Sequence, residues 1–281
     1  MDLASPTTVK ELCEKYDINP RRRQGQNFLI DQNVLNKIIQ AADLKKSDLV
    51  LEIGAGLGIL TKELGERAKS VLTVEIDSRL IKALSETIGD YKNIIIIKED
   101  VLSKEFYQIF KKWLAKHSAG SYKIVANLPY NITSAVLRYF LEADLKPTEM
   151  ILMVQKEVAE RITAKPGQMS LLAVSVQFYG QPEIIDYVSK NSFWPSPKVD
   201  SAIIKLKTDQ RYQVNPKIFF RIVKIGFSAK RKQLQNNLSA GLKMDSQEIK
   251  EILKKIGLDE KIRAQDLAME DWVNLIGEIR N

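Results

Sequence analysis

Asp48-Leu49-Val50-Leu51-Glu52-Ile53-Gly54-Ala55-Gly56-Leu57-Gly58 is the stretch that decides the fold of this chain. An apolar run ends in three alternating glycines, and Ile59 to Ala68 follows with helical spacing. A strand that runs into glycines and then a helix lets a ligand approach the backbone closely, with the helix N-terminus behind it. The spacing is G-x-G-x-G. The dinucleotide fingerprint G-x-G-x-x-G would require glycine where Ile59 stands. The shortened form suits a ligand without a pyrophosphate.

Further along, Ser70 to Val74 reads as a second strand and ends at Glu75, where an acidic side chain can bind a ribose diol. A third apolar run, Ile94 to Ile97, ends in Lys98-Glu99-Asp100, which places Asp100 to accept a hydrogen bond from an adenine amino group. Taken singly, such acids also serve as helix caps. A fourth strand, Lys123-Ile124-Val125-Ala126, delivers Asn127-Leu128-Pro129-Tyr130 ahead of the helical stretch Thr133 to Leu141. Open α/β sheets bind ligands at these C-terminal strand ends. The Asn127 side-chain oxygen and the Leu128 carbonyl can accept both hydrogens of an exocyclic amine. Pro129 restricts Leu128 to extended geometry, and Tyr130 offers a face for a base to stack on. An N-x-P turn with an incidental aromatic would look the same in isolation. The aligned strand ends upstream favour the ligand-binding reading.

Together these residues resemble an S-adenosylmethionine-dependent methyltransferase, and more narrowly the rRNA adenine N6,N6-dimethyltransferase family, in its bacterial small-subunit (16S) branch, whose member confers kasugamycin sensitivity. The resemblance spans most of the chain. It covers Gly25-Gln26-Asn27-Phe28-Leu29, the glycine stretch, Val74-Glu75-Ile76-Asp77 and the Asn-Leu-Pro-Tyr turn. It continues through Gln155 to Arg161, Phe193-Trp194-Pro195-Ser196-Pro197-Lys198-Val199 and Gly226-Phe227-Ser228. One departure is visible: between Pro166-Gly167 and Leu171 the family carries a longer segment, whereas this chain has only Gln168-Met169-Ser170. The resemblance implies S-adenosyl-L-methionine as cofactor, held by Asn27, Leu29, Gly54, Gly56, Glu75, Asp100 and Asn127. It implies catalysis by Asn127, Leu128, Pro129 and Tyr130, with Phe193 covering the second face of the target base. The expected partner is small-subunit rRNA within an immature 30S particle, and the expected state is a monomer.

Composition fits a polyanionic partner. The chain has 281 residues and a formal net charge of +8. Basic clusters stand at Arg21-Arg22-Arg23 and at Arg221, Lys224, Lys230, Arg231 and Lys232. Cys13 is the single cysteine and His117 the single histidine, so a disulfide within the chain is impossible and neither a zinc deaminase nor a His-based triad has its parts. No metal site is expected. No apolar run is long enough for a membrane span, and Asp2, Lys10 and Glu11 replace a signal-peptide core. The expectation is a soluble, cytoplasmic protein with no membrane partner.

The element pattern predicts a Rossmann-like α/β sheet with helices on both faces, plus a small all-helical C-terminal domain. The expected boundaries are an arm at 1–32, the catalytic domain at 33–208 and a helical RNA-binding domain at 211–281. That last segment holds fourteen Lys/Arg against nine Asp/Glu, a balance suited to an RNA backbone. The resemblance implies that the runs near Glu183 to Val188 and Ala202 to Leu206 pair antiparallel and close the sheet. Three alternatives stay open: a large-subunit (23S) dimethyltransferase of the macrolide-resistance kind, a largely non-catalytic ribosome assembly factor, and an NAD oxidoreductase. The missing third glycine and the Asn-Leu-Pro-Tyr turn argue against the last.

Overall fold

The computed structural model describes residues 1–20, 26–117, 120–209 and 211–280. The basic cluster Arg21-Arg22-Arg23 lies outside them. The chain forms two compact units: residues 1–159 with 183–208, and residues 160–182 with 209–281. Residues 160–182, expected with the catalytic domain, therefore group with the C-terminal helices.

The first unit is built on a seven-stranded sheet. Its strands are β2 (Leu49–Ile53), β3 (Ser70–Glu75), β4 (Ile94–Lys98), β5 (Lys123–Asn127), β6 (Glu149–Gln155), β7 (Gly180–Val188) and β9 (Ser201–Thr208). They lie in the order β4-β3-β2-β5-β6-β9-β7. The pairs among β2 to β6 are parallel, and β9 returns antiparallel beside β6. Strands β2 and β3 are buried along their whole length, as expected of central parallel strands covered on both faces. Strand order reverses between β2 and β5, which opens a crevice at their C-terminal ends. The first, short β1 (Phe28–Leu29) pairs antiparallel with β8 (Phe193–Trp194) in a separate two-stranded ladder. Periodicity could not show this ladder, because two residues carry no alternation.

The helices follow from capping and apolar spacing. In α2 (Gln32–Ala42), Asp31 accepts the N–H groups of Asn33 and Val34, while Val34, Leu35 and Ile38 turn inward. Together with α3 (Ile59–Arg67), this helix supplies one layer of core against Val50, Val71, Val125 and Ile151. In α5 (Lys104–Lys116), Phe106, Phe110 and Trp113 are buried, and Phe110 meets Phe140 of α6 (Thr133–Glu142) edge-on at 6.4 Å. The remaining helices of this unit are α1 (Pro6–Lys15) and α4 (Ser78–Ile88), and α7 (Lys156–Ile162) begins in it.

The second unit contains α8 (Leu171–Gln177), α9 (Pro216–Gly226), α10 (Leu234–Leu242), α11 (Ser246–Lys255) and α12 (Met269–Arg280). They close around Phe178, Phe219, Leu238, Leu253 and the fully buried Trp272. Trp272 lies against Gly226, where an added Cβ would come within 2.4 Å of its ring. Helix α10 begins at Leu234, after a turn in which the Lys232 N–H donates to the Ala229 carbonyl at 3.1 Å. The shortened 166–171 loop is fastened within this unit, with Gly167 and Met169 both donating to the Gln265 carbonyl.

Candidate active site

The crevice at the strand ends is a cavity of about 560 Å³, within the range of small-molecule sites. Asn27, Leu29, Gly54, Gly56, Glu75, Asp100, Asn127, Leu128, Pro129 and Tyr130 all line it. Ten of the eleven sequence-derived residues are thus brought to one place.

The two signature stretches touch. Gly54 has φ +74°, and a Cβ there would sit 3.3 Å from Cδ of Pro129, so the turn seats on bare backbone. Gly58 has φ +92°, and a Cβ would fall 2.7 Å from Leu84, which is how α3 starts so close to α4. The Leu128 N–H donates to the Met153 carbonyl at 3.2 Å, which holds the turn to β6. The Tyr130 hydroxyl pairs with Ser201 Oγ at 2.7 Å, so the first residue of β9 fixes the ring. Burial pushes the Tyr130 phenol above its ordinary pKa.

Glu75 closes the β3 end. Its Oε2 accepts the Gly56 N–H at 3.2 Å, and its Oε1 accepts the N–H groups of Ile76 and Asp77 at 2.8 and 3.1 Å. Burial raises its pKa against those three bonds. Three of the carboxylate's roughly four acceptor positions are filled by backbone, leaving about one for a hydroxyl. Asp100 is exposed at the rim, and one oxygen accepts the Leu102 N–H at 2.9 Å. The cap of α5 is Ser103, not Asp100.

Phe193 departs from expectation. It is 3% exposed, sits opposite Leu29 in the β1–β8 ladder and packs with Leu29, Val188 and Ile203. It does not line the cavity. A ring filling the core has no free face for a base, so in this conformation Phe193 stabilises the segment that carries Leu29.

Sequence reasoning missed several lining residues. Glu52 is fully buried beside the glycines; its Oε2 accepts the Thr73 hydroxyl at 2.7 Å, whereas Oε1 has no partner among the described residues. Burial raises its pKa to about 7. Read as a strand residue, Glu52 gave no sign of this. Asp77 lies on the rim, held down to about 2 mainly by its hydrogen bonds from Arg79. Leu3 and Val9 reach the cavity from the N-terminal segment, which no motif indicated.

Among the described residues no cluster of side chains could hold a metal ion, and no helix is long and apolar enough to cross a membrane. The residues present fit a nucleoside-bearing cofactor. A backbone cradle at Gly54 and Gly56, a buried carboxylate at a strand end and a second acid at the rim supply the contacts such a ligand needs.

This sheet and this site define a Rossmann-like methyltransferase. The chain belongs to the ribosomal RNA adenine dimethylase family, whose model matches residues 18–281. It is similar to proteins named ribosomal RNA small subunit methyltransferase A. That of Dehalococcoides mccartyi is 46% identical over 95% of this chain and 91% of the relative. That of Clostridioides difficile is 39% identical over 96% and 94%. Among solved structures, a dimethyladenosine transferase from Plasmodium falciparum has a TM-score of 0.75 at 28% identity, covering 90% of this chain and 97% of that one. The 23S rRNA methyltransferase ErmE has a TM-score of 0.72 at 28% identity, covering 91% and 100%. The chain is accordingly an S-adenosyl-L-methionine-dependent rRNA adenine dimethyltransferase.

Proposed function

We propose that this protein transfers methyl groups from S-adenosyl-L-methionine to the N6 amines of two adjacent adenosines in a 3'-terminal hairpin loop of small-subunit (16S) rRNA. It acts as a cytoplasmic monomer on an immature 30S particle. The observation that carries this reading is the Asn127-Leu128-Pro129-Tyr130 turn seated on Gly54, on the same cavity as Glu75. Small-subunit methyltransferase names among the curated relatives favour this substrate over the 23S alternative.

When bound, the cofactor supplies an activated methyl group on a sulfonium. Glu75 would accept from a ribose hydroxyl, Asp100 would hold the adenine amine, and Gly54 and Gly56 would present backbone. Asn27 and Leu29 would flank the methionine end. The Asn127 oxygen and the Leu128 carbonyl would accept the hydrogens of the target amine and hold its lone pair in line at near-attack distance. These fixed acceptors are preorganised for the positive charge that develops on nitrogen. Tyr130 would stack on the extruded base, a contact worth roughly 1–3 kcal/mol. After the first transfer one hydrogen remains on the amine, so one acceptor still orients the second.

The RNA footprint would include the second unit. Lys217, Arg221 and Lys224 recur at helical spacing along α9, and Lys230, Arg231 and Lys232 follow in the next turn; all six are exposed. The test is to incubate the purified chain and labelled cofactor with undermethylated small subunits and map the modified bases. Label on two neighbouring adenosines near the 3' end is the expected result. Label confined to 23S rRNA would overturn the substrate.

A further inference from the structure

Helix α1 and the residues before it form a wall of the cavity. Leu3 and Val9 line it, and they pack with Leu12 and Cys13 against Phe28, Leu57, Leu80 and Ala83. A ten-residue helix without a side-chain N-cap owes its order to such docking. Two polar fasteners join it to α4. Glu86 accepts Lys15 Nζ at 2.6 Å and also the Tyr16 hydroxyl. Arg79 donates from Nη1 to the Asp17 carbonyl at 3.0 Å. With its other nitrogens Arg79 grips Asp77, from Nε at 3.1 Å and from Nη2 at 2.7 Å. Asp77 lies on the cavity rim and caps α4. Arg79 thus joins the N-terminal segment to the edge of the cavity through one planar fork.

We propose that Arg79 and Glu86 are positioning residues that hold residues 3–17 as a removable wall of the cofactor cavity. Release of the spent cofactor, S-adenosylhomocysteine, then requires this wall to lift. The proposal rests on the reading that this cavity takes the cofactor. Glu86 lies outside the cavity lining, so its loss alters retention and leaves methyl transfer itself intact.

The experiment measures displacement of S-adenosylhomocysteine from the full chain by stopped flow, beside single-turnover methylation at saturating cofactor. Glu86→Ala should raise the dissociation rate about threefold or more with an unchanged single-turnover rate. Arg79→Ala should also speed dissociation. Lys15→Glu combined with Glu86→Lys should restore slow release, which a merely structural role would not require. Unchanged dissociation in a folded Glu86→Ala variant overturns the wall. A Glu75→Ala variant separates the two readings: if it binds cofactor like the parent, the cavity assignment falls and the wall with it. If it loses binding while Glu86→Ala releases at the parental rate, only the wall falls.

Discussion

Glu75 at the end of β3 accepts the backbone N–H of Gly56 at 3.2 Å, so the acid and the glycine cradle are one unit across two neighbouring strands. Removing the carboxylate has two consequences. On the proposed reading a ribose loses its acceptor, and the loop after β2 loses a tie. Hydrogen bonds to charged groups contribute about 1.5–3 kcal/mol, which is roughly ten- to over a hundredfold in affinity. Glu75→Ala should therefore weaken S-adenosyl-L-methionine binding by at least about tenfold, measured by titration calorimetry, while RNA affinity stays near parental. Equal cofactor affinity in the variant would remove Glu75 from the site.

Glu52 yields a prediction about pH. Its pKa rises from an ordinary 4.5 to about 7 because burial disfavours the carboxylate. The folded state therefore binds the proton more tightly than the unfolded chain does. The stabilisation is complete below pH 4.5 and is lost as pH rises through about 7. Glu52→Gln keeps the shape and removes the charge. It should stabilise the protein at pH 8 by roughly 1–3 kcal/mol, with a gain that shrinks toward pH 5. Thermal unfolding across that range is the measurement, and a gain independent of pH would contradict it.

The sequence was most readable where one residue type does one geometric job. The first two of the alternating glycines, the acid ending β3 and the Asn-Leu-Pro-Tyr turn are local signals, and all reach the same cavity. What stayed hidden was set by tertiary contact. The β1–β8 ladder joins residues more than 160 positions apart through two residue pairs, too few to leave a pattern. It is also why Phe193 lies in the core rather than over a base. Ser201 behind Tyr130 and Leu3 in the cavity wall are equally unmarked, because nothing beside them in the chain reports their partners.

The exposed basic face of the second unit should bind RNA by releasing counterions. Arg221, Lys224 and Arg231 are each exposed. Reversing all three to glutamate should lower affinity for small-subunit rRNA and flatten its dependence on salt. Each phosphate no longer neutralised by the protein reduces the log–log slope by roughly 0.7–0.9. Filter binding between low and moderate salt measures it, and an unaltered slope would move the footprint off α9 and the turn after it.

Asn127 bears most directly on the proposed chemistry. It ends β5 on the cavity wall, and the turn it opens is held by Met153 on β6 and seated against Gly54. That rigidity matters because an amine acceptor helps only if it needs no reorganisation when charge develops. Loss of one such preorganised partner costs on the order of 10²–10³ in rate, or roughly 2.7–4 kcal/mol. Asn127→Ala should thus slow methyl transfer far more than it weakens substrate binding. Tyr130→Ala removes stacking area and the tie to Ser201, so it should damage base capture instead, seen as weaker binding of the small subunit. Single-turnover methylation with saturating cofactor, reading the first and second methyl separately, distinguishes the two. An Asn127→Ala enzyme that transfers both methyls at the parental rate would reduce this turn to a structural link between β5 and α6.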